Sequence, residues 1–346
     1  MKVNPALLKL DLFCKGLRIE CTLDKDTRPI IRTRGGLGSG LEIILPEDIY
    51  CNAPIYEDFA KDSPYTLRKN KTYYLEKDNQ FLCNIDIPKK PGFYSKKTSS
   101  GKEMSRIGTI QGNYLAIYYG KLCEFWKTKE NCKFCSLGLN LGNNEEIEKT
   151  DQDIIETIKE ASKEVSFIHF NTGHNKIDSL IDLIKKIHTD IPIGVQAPPQ
   201  KDLKKYNILK DAGVVHLSFC FEIFNKEKFS IICPGKHKHI TQETYFKTIK
   251  YCTKLFQPKL VTGEIIAGLE PVSDTIAAID YLNSINASTT VCVFRPIPGT
   301  NLEKMKPPKL EDLLPIFKHL ANNFPMPNLK VSIVLTPNEA TYLKDV

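Results

Sequence analysis

Three cysteines stand close together in the stretch Cys123-Glu-Phe-Trp-Lys-Thr-Lys-Glu-Asn-Cys132-Lys-Phe-Cys135-Ser-Leu-Gly138. The apolar run from Tyr114 to Tyr119, just before this stretch, is typical of a buried β-strand. The cysteines are therefore expected on a loop at the carboxyl end of a strand, where α/β barrels and doubly wound sheets carry their functional residues.

Three thiolates on one loop predict a metal site with one open position. Structural zinc usually takes four ligands, and no fourth Cys or His stands at a nearby spacing. A [4Fe–4S] cluster on three cysteines leaves one iron for an outside ligand, whereas a cluster on four cysteines does not. We predict that Cys123, Cys132 and Cys135 bind such a cluster, with a zinc site or unligated thiols as the alternatives.

The C-x8-C-x2-C pattern resembles the cluster motif of the radical S-adenosylmethionine (SAM) superfamily. The familiar spacing there is C-x3-C-x2-C, often with an aromatic residue before the last cysteine, a position that Phe134 occupies here. The first spacing is wider in this chain, as in minor subgroups of the family. The resemblance implies a [4Fe–4S] cluster, bound SAM, its reductive cleavage to a 5′-deoxyadenosyl radical, and a flavodoxin or ferredoxin as reductant.

Composition is ordinary for a globular protein, with 41% hydrophobic and 26% charged residues among 346. The net charge of +7 comes from lysines scattered among acids, which favours a solvated surface over nucleic-acid binding. No apolar run is long enough for a spanning helix, and Lys9 and Asp11 interrupt the start, which argues against a signal peptide. Eleven cysteines without such a signal favour the cytoplasm.

From residue 112 onward, strand and helix patterns alternate. Strands are predicted at 113–119, 165–171, 193–197, 214–222, 259–268 and 289–296, each followed by a helical pattern. Six strand–helix units with short loops predict a parallel sheet covered by helices. The fold class is therefore α/β, and the resemblance implies a partial (β/α)6 barrel over 112–324.

The remaining parts of the chain are expected to flank this barrel. Residues 1–111 read as a β-containing amino-terminal extension that caps one barrel end, with a glycine-rich turn at 34–40. Residues 325–346 read as a carboxyl-terminal tail, in which Leu329–Leu335 is a candidate strand.

Alternation along the fourth strand indicates which side chains face the barrel interior. Leu217, Phe219 and Phe221 alternate with polar neighbours, and the helix-covered face must be apolar. Cys220 and Glu222 should therefore point inward. By resemblance, Glu222 would bind the ribose of SAM; a helix cap or an ion pair is the alternative.

The second strand ends in a second candidate group. His169 and Asn171 share one face, and Asn171 opens the sequence Asn-Thr-Gly-His. Its position resembles the Gly-Gly-Glu motif that holds the SAM amino group in the family, although only Gly173 matches. Thr172 and Gly173 are expected to contact SAM. His174 is expected either as a polar ligand or as an exposed loop histidine.

Three further residues complete the predicted site. Gln196 should point inward from the third strand, and Ile297 should pack on adenine, as a strand-end apolar residue does in relatives. Arg295 would bind a substrate carboxylate, or form a surface ion pair. Alternation places Cys292 and Arg295 on opposite faces of the sixth strand.

The sequence thus predicts a radical SAM enzyme that abstracts hydrogen from a small molecule entering at the carboxyl ends of the strands. One cluster is expected. The alternatives are a sulfur-inserting enzyme similar to biotin synthase, with a second cluster near Cys220 and Cys292, and a non-catalytic zinc- or cluster-binding protein.

Overall fold

The amino-terminal part of the protein contains a helix and two small sheets. The computed structural model describes residues 3–30, 39–175, 177–322, 324–344 and 346, so most of the predicted turn at 34–40 lies outside the described residues. Helix α1 (Pro5–Lys15) begins after Asn4, whose side chain accepts the Leu7 N–H. The strands are β1 (Arg18–Ile19), β2 (Leu41–Leu45), β3 (Ile49–Ala53), β4 (Tyr65–Lys69), β5 (Tyr73–Lys77) and β6 (Gln80–Ile85). They form a sheet of order β1-β4-β5-β6 and a separate β2-β3 pair, which confirms a β-containing extension.

The central sheet has seven strands, which lie side by side in chain order. They are β7 (Gly108–Gln111), β8 (Tyr114–Tyr118), β9 (Phe167–Asn171), β10 (Ile193–Gln196), β11 (Val214–Glu222), β12 (Val261–Ala267) and β13 (Ser288–Val293). Strands β8 to β13 are parallel, and β7 pairs with β8 as an antiparallel hairpin. The sheet therefore begins at Gly108, slightly before the predicted boundary at 112.

Helices follow the parallel strands and give the predicted partial (β/α)6 barrel. They are α2 (Glu124–Lys127), α3 (Leu137–Asn140), α4 (Asp151–Ala161), α5 (Asp178–Ile184), α6 (Lys204–Asp211), α7 (Lys226–Ile232), α8 (Pro234–His239), α9 (Gln242–Cys252), α10 (Val272–Ser284), α11 (Leu310–Leu320) and α12 (Pro337–Ala340). None of the described helices combines the length and the apolar composition needed to cross a bilayer.

Strand β11 shows why the polar side chains face inward. Phe219 and Phe221 are fully buried and face the outer helices, with ring centroids 5.6 Å from Tyr206 of α6 and 5.3 Å from Phe246 of α9. Burying each phenylalanine contributes roughly 1.5–3 kcal/mol. This outward packing fixes the register, so the alternate residues Cys220 and Glu222 line the barrel interior.

The predicted strand at Leu329–Leu335 was wrong, because this segment is irregular. Its backbone carbonyls bind three different parts of the protein: Lys330 O accepts the Asn113 N–H (3.2 Å), Val331 O accepts Lys9 Nζ (2.8 Å), and Ser332 O accepts the Asn52 N–H (2.8 Å). Consecutive groups bonded to separate partners cannot form a ladder with one neighbouring strand.

This carboxyl-terminal segment, residues 326–338, closes the open side of the partial barrel. Val331 packs on Tyr114 and Phe167 at the β8–β9 side, within one apolar cluster. It also belongs, with Val334, to the apolar cluster that contains Cys292 of β13. The segment therefore spans the gap between the two sides of the curled sheet.

Candidate active site

A cavity of about 360 Å³ lies inside the curled sheet and reaches the cysteine-bearing loop. This volume is within the range of small-molecule sites, about 300–1,000 Å³. The three predicted cysteines all line it. Among the other predicted residues, those that also line it are Phe134, His169, Asn171, Gly173, His174, Gln196, Glu222, Arg295 and Ile297.

The cysteine-bearing loop is folded by its own backbone hydrogen bonds. The Trp126 N–H donates to Cys123 O (2.9 Å), and the Cys135 N–H donates to Cys132 O (3.0 Å). The Trp126 ring packs directly on Gly138, where an added Cβ would lie 2.4 Å from a ring carbon. The Leu137 N–H reaches Cys135 Sγ at 3.5 Å, so the loop supplies a backbone donor to this sulfur.

The three sulfurs are close enough to influence one another. Burial raises the pKa of the Cys135 thiol to about 12, and the negative charges of Cys132 and Cys123 contribute in the same direction. A thiolate at Cys135 would therefore need a positive charge beside it.

The donor set consists of three cysteine sulfurs on one loop. Among the described residues, no three His, Cys, Asp or Glu side chains converge as a single-ion site requires. In a [4Fe–4S] cluster, however, each cysteine binds a different iron. Cys123, Cys132 and Cys135 all line the one cavity, so their chemistry fits such a cluster.

The end of β9 brings Gly173 against the cysteine-bearing loop. Gly173 has a positive φ of 56°, and a Cβ added there would lie 2.9 Å from Tyr118 Oη and 3.5 Å from Cys123 Cβ. Its N–H donates to Asn171 Oδ1 (2.9 Å). The close approach requires glycine and leaves the Gly173 backbone at the cavity surface.

Thr172 does not line the cavity, and its predicted role as a SAM contact stays a prediction. Its side chain is fully buried, and its hydroxyl contacts Gln196 O at 3.3 Å. Its carbonyl accepts Asn175 Nδ2 (2.6 Å). Because the side chain points into the sheet and the carbonyl is bound, only Gly173 of this pair lines the cavity.

A chain of polar contacts crosses four neighbouring strands inside the barrel. Asn171 Nδ2 donates to Gln196 Oε1, and Gln196 Nε2 donates to Glu264 Oε2 (2.6 Å). The Cys220 thiol donates to the same Glu264 oxygen (3.1 Å). The sequence predicted Asn171, Gln196 and Cys220 as inward. Glu264 was not predicted as a site residue, although alternation along β12 could have indicated it.

Glu222 forms an ion pair with Lys236 of α8. Lys236 Nζ lies 2.6 Å from Glu222 Oε1 and donates to Cys220 O (2.6 Å). Burial raises the pKa of Glu222 against the opposing influence of Lys236. Burial lowers the pKa of Lys236, but the negative charges around it, chiefly that of Glu222, together raise it more, so the pKa of Lys236 lies well above its ordinary value. Sequence reasoning missed Lys236, because nothing local relates α8 to β11.

The two predicted histidines both reach the cavity. The His174 ring stacks on Phe125 with centroids 4.3 Å apart. Burial, with the charge of Lys236, lowers the pKa of His174, so the neutral imidazole is favoured. His169 lies deeper, with its ring edge-on to Tyr114 at 6.3 Å.

Arg295 is held by a carboxylate from the amino-terminal part of the protein. It is 3% exposed, and its Nη2 lies 2.6 Å from Glu57 Oε1. The alternative of an ion pair was therefore right, but the pair is buried and not at the surface. A role in binding a substrate carboxylate stays a prediction.

The expectation that Cys292 and Arg295 face opposite ways was wrong. Strand β13 ends at Val293, and the Ile297 N–H donates to Arg295 O (2.9 Å) in a turn. Alternation stops with the strand, so Cys292, Arg295 and Ile297 all line the cavity.

Comparison with known proteins shows a family match over the central part of the chain. Residues 129–282 match the family model described as the radical SAM superfamily. Bacteriochlorophyllide c C-7(1)-hydroxylase of Chlorobaculum limnaeum is 22% identical over 258 residues, which cover 66% of this chain and 64% of that protein. The aligned region thus spans less than two thirds of the relative.

Two solved structures align with parts of the chain. Methylornithine synthase aligns with a TM-score of 0.47 and 16% identity, covering 60% of this chain and 61% of that one. A radical SAM methyltransferase from Kitasatospora setae, solved with cobalamin and a [4Fe–4S] cluster bound, aligns with a TM-score of 0.42 and 13% identity, covering 72% and 47%.

Proposed function

We propose that this chain is a radical SAM enzyme, which holds a [4Fe–4S] cluster on Cys123, Cys132 and Cys135 and cleaves SAM reductively; the match of residues 129–282 to the family model supports this. The observation that carries the proposal is that three cysteines of one loop line a single cavity inside the barrel. The Leu137 N–H, 3.5 Å from Cys135 Sγ, supports it, because hydrogen bonds to ligand sulfurs are a usual feature of cluster sites.

SAM is proposed to occupy the part of the cavity next to the cysteine-bearing loop. Gly173 presents its backbone beside Cys123, and Phe134 and Ile297 supply apolar surface. The Glu222–Lys236 pair offers a carboxylate for hydroxyl groups and an ammonium for a carboxylate. These residues place positive, negative and apolar groups around one compact volume, as a sulfonium amino acid joined to a nucleoside requires.

With both groups bound, the cluster and SAM would supply a 5′-deoxyadenosyl radical. The protein's part is to orient the substrate and exclude water. The walls serve this purpose, because the carboxyl-terminal segment and the sheet enclose the cavity with Val331, Val334 and Phe167. Hydrogen abstraction from carbon also suits the relative, whose name describes a hydroxylase.

The substrate is proposed to be a small molecule. The cavity volume of about 360 Å³ supports this size. His169, Asn171, His174 and Gln196 line the cavity and supply hydrogen-bonding groups for substrate. A flavodoxin or ferredoxin is proposed as the electron donor in the cytoplasm, a compartment that suits eleven cysteines without a disulfide.

The test is SAM cleavage by anaerobically reconstituted protein. We expect four iron atoms per chain and 5′-deoxyadenosine formation with dithionite. Cys135→Ala should lose both the cluster absorbance and the cleavage. The matched control is Cys252→Ala, a buried thiol of α9 that does not line the cavity. A Cys135→Ala protein that keeps a full cluster and cleaves SAM would refute the assignment.

A further inference from the structure

Two chain segments run alongside each other behind the cysteine-bearing loop. The Gly235 N–H donates to Glu130 O (3.0 Å), and the Lys133 N–H donates to Ile232 O (3.0 Å). Cys132 lies between Glu130 and Lys133, and Cys233 lies between Ile232 and Gly235. The two segments run in opposite directions. Two residues on from the Glu130–Gly235 pair, or one residue back from the Lys133–Ile232 pair, Cys132 stands opposite Cys233.

Gly235 explains how the segments come so close. A Cβ added at Gly235 would lie 2.6 Å from Glu130 O and 2.6 Å from the Phe125 ring. Only glycine fits at position 235, so this residue permits the close approach of the two segments. Residues that face each other in adjacent antiparallel segments have Cα atoms about 4.5–5.5 Å apart, which is within the range of disulfides.

Cys233 lies behind Cys132 and not in the cavity. It is fully buried at the junction of α7 and α8, with its N–H bonded to Phe229 O (2.9 Å) and its carbonyl to the His237 N–H (2.9 Å). Cys132 lines the cavity and Cys233 does not, although both belong to one apolar cluster. Cys233 therefore does not face the cavity as a fourth ligand would, and its side chain is hydrogen-bonded to that of Cys132.

We propose that Cys132 and Cys233 form a thiol pair, in which Cys233 donates its S–H to the Cys132 sulfur of the loaded protein and closes a disulfide with it in the cluster-free protein. The first half rests on the proposed function; the second does not. Hydrogen bonds to ligand sulfurs are one of the means by which proteins set cluster potentials. Cys233 is thus a positioning residue that makes the cluster easier to reduce.

The disulfide step needs an oxidant, and a small organic disulfide supplies it. The Cys132 thiolate attacks one sulfur of the reagent, forms a mixed disulfide and releases one thiol. Cys233 then attacks Cys132 Sγ, forms the protein disulfide and releases the second thiol. Two protein thiols are oxidised, and one reagent disulfide is reduced to two thiols.

The geometric test uses full-length, cluster-free protein treated with cystamine. Peptide mass spectrometry should find Cys132 cross-linked to Cys233, and Cys252→Ala should give the same cross-link. The proposed pair would be refuted by a disulfide from Cys132 to Cys123 or Cys135. It would also be refuted if Cys132 remained as the mixed disulfide with the reagent. This readout requires neither cluster nor SAM, so it can succeed even if the proposed enzyme activity fails.

The second test measures the reduction potential of the reconstituted cluster. Cys233→Ala removes the donor and should shift the potential to a more negative value. Cys233→Ser keeps a donor and should stay near the parent protein, as should Cys252→Ala. An unchanged potential in Cys233→Ala overturns the hydrogen bond. If Cys233→Ala does not load, Cys233→Val, which fills a similar volume without a donor, keeps the test decisive: a negative shift there supports the hydrogen bond, and no shift overturns it.

Discussion

Glu222 and Lys236 depend on each other inside the barrel. Each side chain is 13% exposed, and Lys236→Met would leave the Glu222 carboxylate without its cation in the cavity wall. Breaking a buried pair from one side costs about 3 kcal/mol, whereas removing both partners costs less. We expect Lys236→Met to lower the free energy of unfolding by about that amount. Adding Glu222→Gln should recover part of the loss.

Urea denaturation of the cluster-free variants measures this pair. The matched control is Lys61→Met, because Lys61 pairs with Asp58 at an exposed site. It should change stability little. If the effects of Lys236→Met and Glu222→Gln on the free energy of unfolding simply add in the double variant, the two residues do not interact.

Cys220 and Cys292 are not expected to hold a second cluster. Burial and the charge of Glu264 raise the pKa of both thiols well above the ordinary value. The Glu264 carboxylate accepts the Cys220 thiol (3.1 Å) and opposes a further negative charge here, whereas the Cys135 sulfur receives the Leu137 N–H (3.5 Å). We expect the Cys123, Cys132 and Cys135 triple alanine variant to retain no iron–sulfur signal after reconstitution.

Iron and sulfide analysis and electron paramagnetic resonance decide this point. Cys220→Ala with Cys292→Ala should keep a single four-iron cluster. A stoichiometric [2Fe–2S] signal in the triple variant would contradict the prediction and favour the sulfur-inserting alternative.

For single residues, the sequence predicted which way a side chain faces better than which residue it pairs with. Alternation along a strand is local, so it placed Asn171, Gln196 and Glu222 inside the barrel. The partner of Glu222 lies on a separate short helix, and the partner of Arg295 lies in the amino-terminal part. Such pairings depend on how distant segments pack, which no local pattern encodes.

At the scale of elements, periodicity located all six parallel strands. Strand β11 matches its predicted bounds, and the others differ by a few residues at their ends. Helices α7 and α8 were not predicted, because each is under two and a half turns long and only Cys233 separates them. The cysteine-bearing loop docks on this missed pair, so the neighbour of Cys132 could not be predicted either.

Glu270 joins three elements beyond the end of β12. Its carboxylate accepts the Phe224 and Asn225 N–H groups (2.8 and 2.7 Å) and contacts Thr275 of α10. Burial raises the pKa of Glu270 to about 7. The folded protein thus binds this proton more tightly than the unfolded chain, so the stabilisation is complete below pH 4.5 and is lost as the pH rises through about 7.

Glu270→Gln removes this ionisation while keeping an acceptor oxygen. Relative to the parent protein, the variant should gain stability between pH 4.5 and 7, by at most about 3 kcal/mol. Thermal or urea unfolding at several pH values measures the difference. A parallel pH dependence in both proteins would contradict the raised pKa.

For the whole molecule, Lys9 joins the amino-terminal helix to the carboxyl-terminal segment. Lys9 is fully buried, and its Nζ binds Val331 O (2.8 Å) and Glu339 Oε2 (2.9 Å). Lys9→Met would leave both groups without this donor. We expect a loss of about 3 kcal/mol and faster hydrogen exchange in the segment.

Hydrogen-exchange mass spectrometry resolves where the protein loosens. The change should be concentrated at 326–340, with the Phe219-containing strand unaffected. Lys61→Met again serves as the control. Uniformly faster exchange over the whole protein would show that Lys9 stabilises the fold in general and not the segment.

The amino-terminal part and the barrel share one core, which the sequence could not show. Leu10 and Ile43 belong to the same apolar cluster as Ile117 and Phe219. The alternating pattern after residue 112 predicted the barrel but carried no sign of what would cover it. Contacts such as Arg295 with Glu57 join residues more than two hundred positions apart.

The enclosure of the cavity also imposes an order of events during biosynthesis. The last strand, β13, ends at Val293, and Val331 and Val334 leave the ribosome about forty residues later. At ordinary elongation rates this interval lasts roughly 2–8 s. During that time the nascent barrel lacks one wall, so iron and sulfide for the proposed cluster would have a broad route to the loop that narrows when the segment docks.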